Sequence, residues 1–129
     1  MLLPVTTIYA AALALVALVL SAGAGTRRAK LKIPVGDGGN EQLHHAVRRH
    51  GNFVEYVPLI LLLIAIIELN GAPPTWLHGL GASLLAARIA HPFGIGSISH
   101  PARFFGAAVT ALVLLACAGI LAWQAYSAM

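Results

Sequence analysis

Apolar side chains fill four long stretches of the chain, and polar side chains gather in the breaks between them. The stretches lie near residues 4 to 24, 53 to 70, 74 to 92 and 104 to 124. Each approaches the roughly 20 residues an α-helix needs to cross a hydrocarbon core about 30 Å thick. The breaks carry turn chemistry. Pro34-Val-Gly-Asp-Gly-Gly-Asn40 predicts an open loop, Asn70-Gly-Ala-Pro-Pro74 a tight turn, and His91-Pro-Phe-Gly-Ile-Gly96 the start of a third connection. The pattern predicts an all-α membrane protein: one domain over residues 1–129, built as a bundle of four transmembrane helices.

The second span departs from plain hydrocarbon. Arg48-Arg-His-Gly-Asn-Phe-Val-Glu-Tyr-Val-Pro58 runs into the apolar stretch Leu59 to Ile67 with no turn signal between them, so this helix begins earlier, in water, near Glu41. At helical spacing Glu41, His45, Arg48, Asn52 and Glu55 fall on one face, which Leu59, Leu62 and Ile66 continue as hydrocarbon. Charges at bilayer depth cost a few kcal/mol each, and they persist where they face a bundle interior or bind something, which makes the stripe the leading candidate for a site.

Composition agrees with a membrane: 59% of residues are hydrophobic and 9% charged. All eight Lys and Arg residues border the first or third break: Arg27, Arg28, Lys30, Lys32, Arg48 and Arg49 the first, Arg88 and Arg103 the third. The positive-inside rule then places both termini outside and loops 1 and 3 in the cytoplasm. The net charge of +4 reflects topology, lipid headgroups and any anionic ligand, and needs no nucleic acid. A cleaved signal peptide is a poor reading of the first span, because basic residues follow its apolar run and none precedes it. Cys117, mid-way along the last span, reads as a small buried hydrophobe, with no disulfide or metal implied. The histidines show no metal-ligand spacing, and the adjacent His44 and His45 are expected to point apart.

Small residues four apart (Ala10 with Ala14, Gly79 with Ser83, Ala82 with Ala86 and Ala90) predict close helix approach. Four short helices do not easily enclose a polar pocket and keep a sealed lipid face, so the stripe is expected at a contact between protomers of a homo-oligomer. Arg88 and His91 lie three apart at one end of the third span, and Arg103 opens the fourth. With Arg27 and Arg48, these put four arginines at one depth against Glu55 alone. The surplus calls for an anionic ligand, and arginine forks suit carboxylate or phosphate. The residues alone leave two readings level: a ligand site, or a structural network in which Arg48 and Glu55 pair with Asn52 bridging them. Arg27, Arg28, Lys30 and Lys32 read most simply as interfacial anchors, as does Arg49, which points off the stripe. Glu68 reads as an interfacial group, and His91 before Pro92 as a helix end.

Arg48-x-His50-x-Asn52-x-x-Glu55-Tyr56-x-Pro58 ahead of an apolar helix resembles the second-helix signature of the MAPEG family, the membrane-associated proteins in eicosanoid and glutathione metabolism. Arg27-Arg28-Ala29 ending the first helix and Arg88-x-x-His91 in the third fit the same pattern, with the shorter bacterial branch the most similar. The resemblance implies a homotrimer in the bacterial inner membrane that holds glutathione as cosubstrate between subunits near the cytoplasmic face. Arg27, Arg48, Asn52, Glu55, Tyr56, Arg88 and His91 would contact the tripeptide. Arg103 would be catalytic, holding the sulfur as thiolate, and no metal is involved. Ile95, one turn past His91, departs from the tyrosine of mammalian members. Three function classes follow: a glutathione transferase or peroxidase acting on lipophilic electrophiles or hydroperoxides, a noncatalytic lipid-binding scaffold, and a small channel. The channel is weakest, because nothing polar continues the stripe between Glu55 and Glu68.

Overall fold

Proline opens three of the four helices, at the position where its missing N–H would have had no helical partner and its fixed φ already suits a helix. The computed structural model of the protein describes residues 1–97 and 99–129. Its helices are α1 (Pro4–Leu31), α2 (Glu41–Leu69), α3 (Pro74–Ala90) and α4 (Pro101–Ser127), with a short 3-10 turn, His91–Gly94, continuing α3. Asn40 opens α2 instead, its side chain accepting the Leu43 N–H at 2.9 Å. α1, α2 and α4 are long and apolar enough to cross a membrane. α3, at 17 residues, rises about 26 Å, and the 3-10 turn lengthens it.

The expected spans are recovered with shifted ends. α1 runs past residue 24, so Arg27, Arg28 and Lys30 are helical, and it stops where Lys32 takes a left-handed conformation. α3 gives way at Ala90 because Pro92 has no N–H to return to the carbonyl four residues back. α4 begins at Pro101, three residues earlier than expected. Between α2 and α3 the N–H groups of Gly71 and Ala72 bond back to the carbonyls of Glu68 and Ile67, and Gly71 supplies the positive φ this closure requires.

α1 packs on α2 and α3, α3 on α4, and α4 on α2, which closes an up-and-down bundle. Leu13, Ile60, Ile64, Leu77, Leu84, Val113 and Cys117 fill its core. Leu15, Leu18, Leu62, Leu112 and Leu115 face outward, where acyl chains would cover them. The closest approaches differ from the small-residue pairs read in the sequence. Gly79, Ala82, Ser83 and Ala86 lie exposed, whereas the Tyr9 ring lies against Gly81, and Gly106 meets His91 and the Ala87 carbonyl.

Glu68 is more than an interfacial group. Its carboxylate accepts the N–H groups of Val5 and Thr6, both at 2.8 Å, and the Thr6 hydroxyl at 2.5 Å. Leu3 offers no capping side chain, so α2 caps α1 from outside and places a negative charge at its positive end. This ties the first helix into the bundle at the end opposite the basic residues.

Candidate functional site: a basic cleft at one end of the bundle

The end of α1, the first half of α2, the 3-10 turn and the start of α4 meet at the same end of the bundle, and all eight basic side chains belong to these segments or border them. There a cleft of about 320 Å³ opens, lined by His44, His45, Arg48, Asn52, His91, Ile95, Gly96 and Arg103. Its volume falls at the small end of the range for ligand pockets. Four of the sequence-predicted residues therefore share one cleft: Arg48, Asn52, His91 and Arg103.

Close backbone contact positions Arg103. A Cβ on Gly94 would clash with the backbone of Arg103, so only glycine lets the 3-10 turn press against the first turn of α4. On α2, Arg48 Nη1 stands 3.6 Å from Glu55 Oε1, and both side chains are about half exposed. The ion pair foreseen between them is present, but Asn52 does not bridge it. Asn52 turns to Arg88.

Arg88 is 2% exposed and lies behind the cleft rather than on its wall. Its Nη1 donates to Asn52 Oδ1 at 2.8 Å and, more loosely, to the Asn52 carbonyl at 3.4 Å. Nε donates to Thr110 Oγ1 at 3.0 Å, while Nη2 reaches Thr110 Oγ1 and the Gly106 carbonyl. The five N–H donors of a guanidinium thus all have acceptors, and all of these are neutral. The Tyr56 ring covers the group, its centroid 5.6 Å from the guanidinium carbon. Tyr56 and Arg88 form a node joining α2, α3 and α4, with Asn52 as its outlet to the cleft.

Within one chain, Arg27 stands apart from these residues. It bonds its own helix through the Gly23 carbonyl at 2.9 Å and lies in another groove, with Arg49. Arg49 is not a free anchor: it is partly buried and contacts the Ile95 carbonyl at 3.4 Å. His44 and His45 do not diverge from the site, since both line the cleft. Asp37 holds His44 at 2.6 Å, and His45 rests against Gly96 with Glu41 at 3.9 Å. Among the described residues no cluster of His, Cys, Asp or Glu has the geometry to hold a metal ion.

Sequence reasoning missed Thr110, the hinge of the Arg88 network. A lone hydroxyl inside the apolar run of α4, at the depth of Arg88, was the available signal.

A helical membrane protein whose basic end holds a cleft free of carboxylates is the class this architecture defines. The MAPEG family model matches residues 6–123, and the chain belongs to the MAPEG family. It is 34% identical over 124 residues to the inner membrane protein YecN of Escherichia coli strain K12, covering 93% of this chain and 95% of that protein. The same protein from Escherichia coli O6:H1 matches to the same extent. No solved structure matches the chain significantly.

Proposed function

We propose that this protein binds glutathione in the basic cleft and presents it as a thiolate to lipophilic electrophiles or hydroperoxides, as a glutathione transferase or peroxidase. The working unit is a homotrimer in an inner membrane, with both termini outside and the cleft toward the cytoplasm. One observation carries the reading: Arg48 and Arg103 share a cleft whose lining includes three histidines and no acid. Glutathione brings the negative groups this cleft lacks, two carboxylates and an ionisable sulfur. Arg48 and Asn52 suit a carboxylate and an amide, and Glu55, beside Arg48, suits the ammonium. Arg88 and Tyr56 stand behind Asn52 and fix its orientation without meeting the ligand. His91, buried, also lines the cleft.

Arg103 is the catalytic group, acting by electrostatics. A free thiol with a pKa near 8.5 is only a few per cent ionised at neutral pH. Lowering that pKa by about two units takes roughly 2.7 kcal/mol of preference for the anion, within reach of a poorly hydrated guanidinium. The thiolate then attacks the electrophilic carbon and displaces its leaving group, or attacks a hydroperoxide oxygen and breaks the O–O bond to leave an alcohol and a glutathione sulfenic acid, which a second glutathione thiol converts to the disulfide with loss of water. The nucleophile arrives with the cosubstrate, so no side chain of the protein needs activation.

Calorimetric titration with glutathione tests binding, and ultraviolet thiolate absorbance tests activation. Arg48→Ala is expected to weaken affinity at least about tenfold, as for loss of a charged hydrogen bond. Arg103→Ala is expected to spare most binding and abolish the thiolate signal. A parent protein that gives neither heat nor thiolate overturns the proposal.

A further inference from the structure

Around α2 from the cleft, a second basic site remains unexplained. A groove of about 370 Å³ runs between α1, the first turns of α2 and the 3-10 turn, with Val19, Leu20, Arg27, Arg49, Pro92 and Phe93 among its lining residues. Arg49 Nε is buried with no hydrogen-bond partner among the described residues. A buried polar atom left without a partner costs about 1–3 kcal/mol, more when charged. The one bond formed by Arg27 reaches its own helix, and no ion pair among the described residues includes either arginine. The groove is therefore short of an anion.

The other end of the groove is hydrocarbon. Val19 is 71% and Phe93 73% exposed, too apolar to face water. Val19 stands eight residues before Arg27, which places it about 12 Å deeper along α1, toward the middle of the bilayer. Guanidinium forks fit phosphate oxygens, and basic pockets between helices at the cytoplasmic side of a membrane take anionic headgroups. A soluble anion would use the arginines and leave the apolar wall bare; a phospholipid uses both. We propose that this groove binds one anionic phospholipid, its phosphate held between Arg27 and Arg49 and an acyl chain laid along Val19, Leu20 and Phe93. The proposed glutathione cleft rests on Arg48 and Arg103, and Arg27, which the family resemblance gives to the tripeptide, is the one residue the two readings contest.

Native mass spectrometry of the full chain in neutral detergent tests it. Phosphatidylglycerol, phosphatidylcholine with the same acyl chains, and inorganic phosphate are the probes. The protein should retain phosphatidylglycerol in preference to the other two. Arg27→Gln with Arg49→Gln should weaken retention about 30-fold, the loss of two charges against an anionic lipid. Arg27 is exposed, so Arg27→Gln alone leaves the fold intact and should cost about fivefold should the double variant fail to fold. Glutathione should leave the lipid in place, and its displacement of lipid would assign the groove to the tripeptide and overturn the proposal. Equal retention of the two lipids, retention of inorganic phosphate as tight as that of lipid, or indifference to Arg27→Gln would each overturn it. So would complete disulfide cross-linking of Phe93→Cys between two copies, which would put a second protomer on the groove.

Discussion

Arg88 and Arg103 lie at the same end of the bundle, on helices packed against each other, yet their surroundings are opposite. Arg88 is enclosed by acceptors from α2 and α4, every donor engaged. Arg103 lines an open cleft with no ion-pair partner among the described residues. A guanidinium whose donors are all satisfied by neutral oxygens has nothing left for a ligand. It holds helices together and aims Asn52. A guanidinium at a cleft wall with donors to spare is available for chemistry. Cationic charge at one membrane depth thus divides into scaffold and site, and the number of unsatisfied donors draws the line better than the depth does.

The sharpest break of this contrast is removal of each arginine in turn. Arg88→Ala takes the donors away from the Asn52 side-chain oxygen and the buried Thr110 hydroxyl and opens a cavity where α2, α3 and α4 meet, and should destabilise the fold by about 3–5 kcal/mol. Arg88→Lys should recover little, because one ammonium cannot reach Asn52 and Thr110 in a planar fork. Arg103→Ala should change stability by no more than about 0.5–1 kcal/mol. Denaturant unfolding in detergent, followed by circular dichroism, measures all three. Equal losses at the two positions would erase the distinction.

Gly94→Ala tests the cleft side with a smaller effect. The new methyl group would meet the Arg103 backbone rather than a flexible side-chain tip, so the 3-10 turn and α4 must separate. Overpacking of this kind costs about 1–3 kcal/mol. Because the strain falls at Arg103, the glutathione thiolate signal should weaken by more than the binding heat does. A variant that loses stability while keeping the full thiolate signal would show that the contact sets the fold and not the catalyst.

Much of this arrangement was legible in the sequence, for identifiable reasons. Polar residues stepping three and four apart placed Arg48, Asn52 and Glu55 on one face, and the breaks placed the four helices, although α1 runs to Leu31, well past its expected end near residue 24. What escaped were partnerships across helices. Asn52 lies on the stripe by spacing, but its oxygen is claimed by Arg88 on α3, which no periodicity within α2 reveals. His44 and His45 diverge on a helical wheel and still share a cleft, because the cleft wraps the first turns of α2 and Asp37 steers His44 from the loop. Arg49 points off the stripe, yet its side chain reaches the Ile95 carbonyl. The missing cap at Leu3 was a readable clue that α1 needed an acceptor from elsewhere, and Glu68 supplies it. Spacing reports what one helix presents, whereas long polar side chains choose partners in three dimensions.

The weakest link in the comparison is also the most exposed. Where Arg88 is held from the core, His44 is held from loop 1, by Asp37 at 2.6 Å. The Gly39 N–H, and after it His44, stabilise the Asp37 carboxylate and lower its pKa from the ordinary aspartate value. A carboxyl group whose folded pKa is depressed contributes stability fully above the free value of about 4, and loses it as the pH falls through the lower folded value. Denaturant midpoints of the parent and Asp37→Asn should therefore differ slightly at neutral pH and converge in acid. At neutral pH the glutathione affinity of the variant should stay within about threefold of the parent, because contacts exposed to water are screened and weak. A gap that widens on acidification, or a loss of affinity as large as that of Arg48→Ala, would mean that the loop, and not the arginines, organises the cleft.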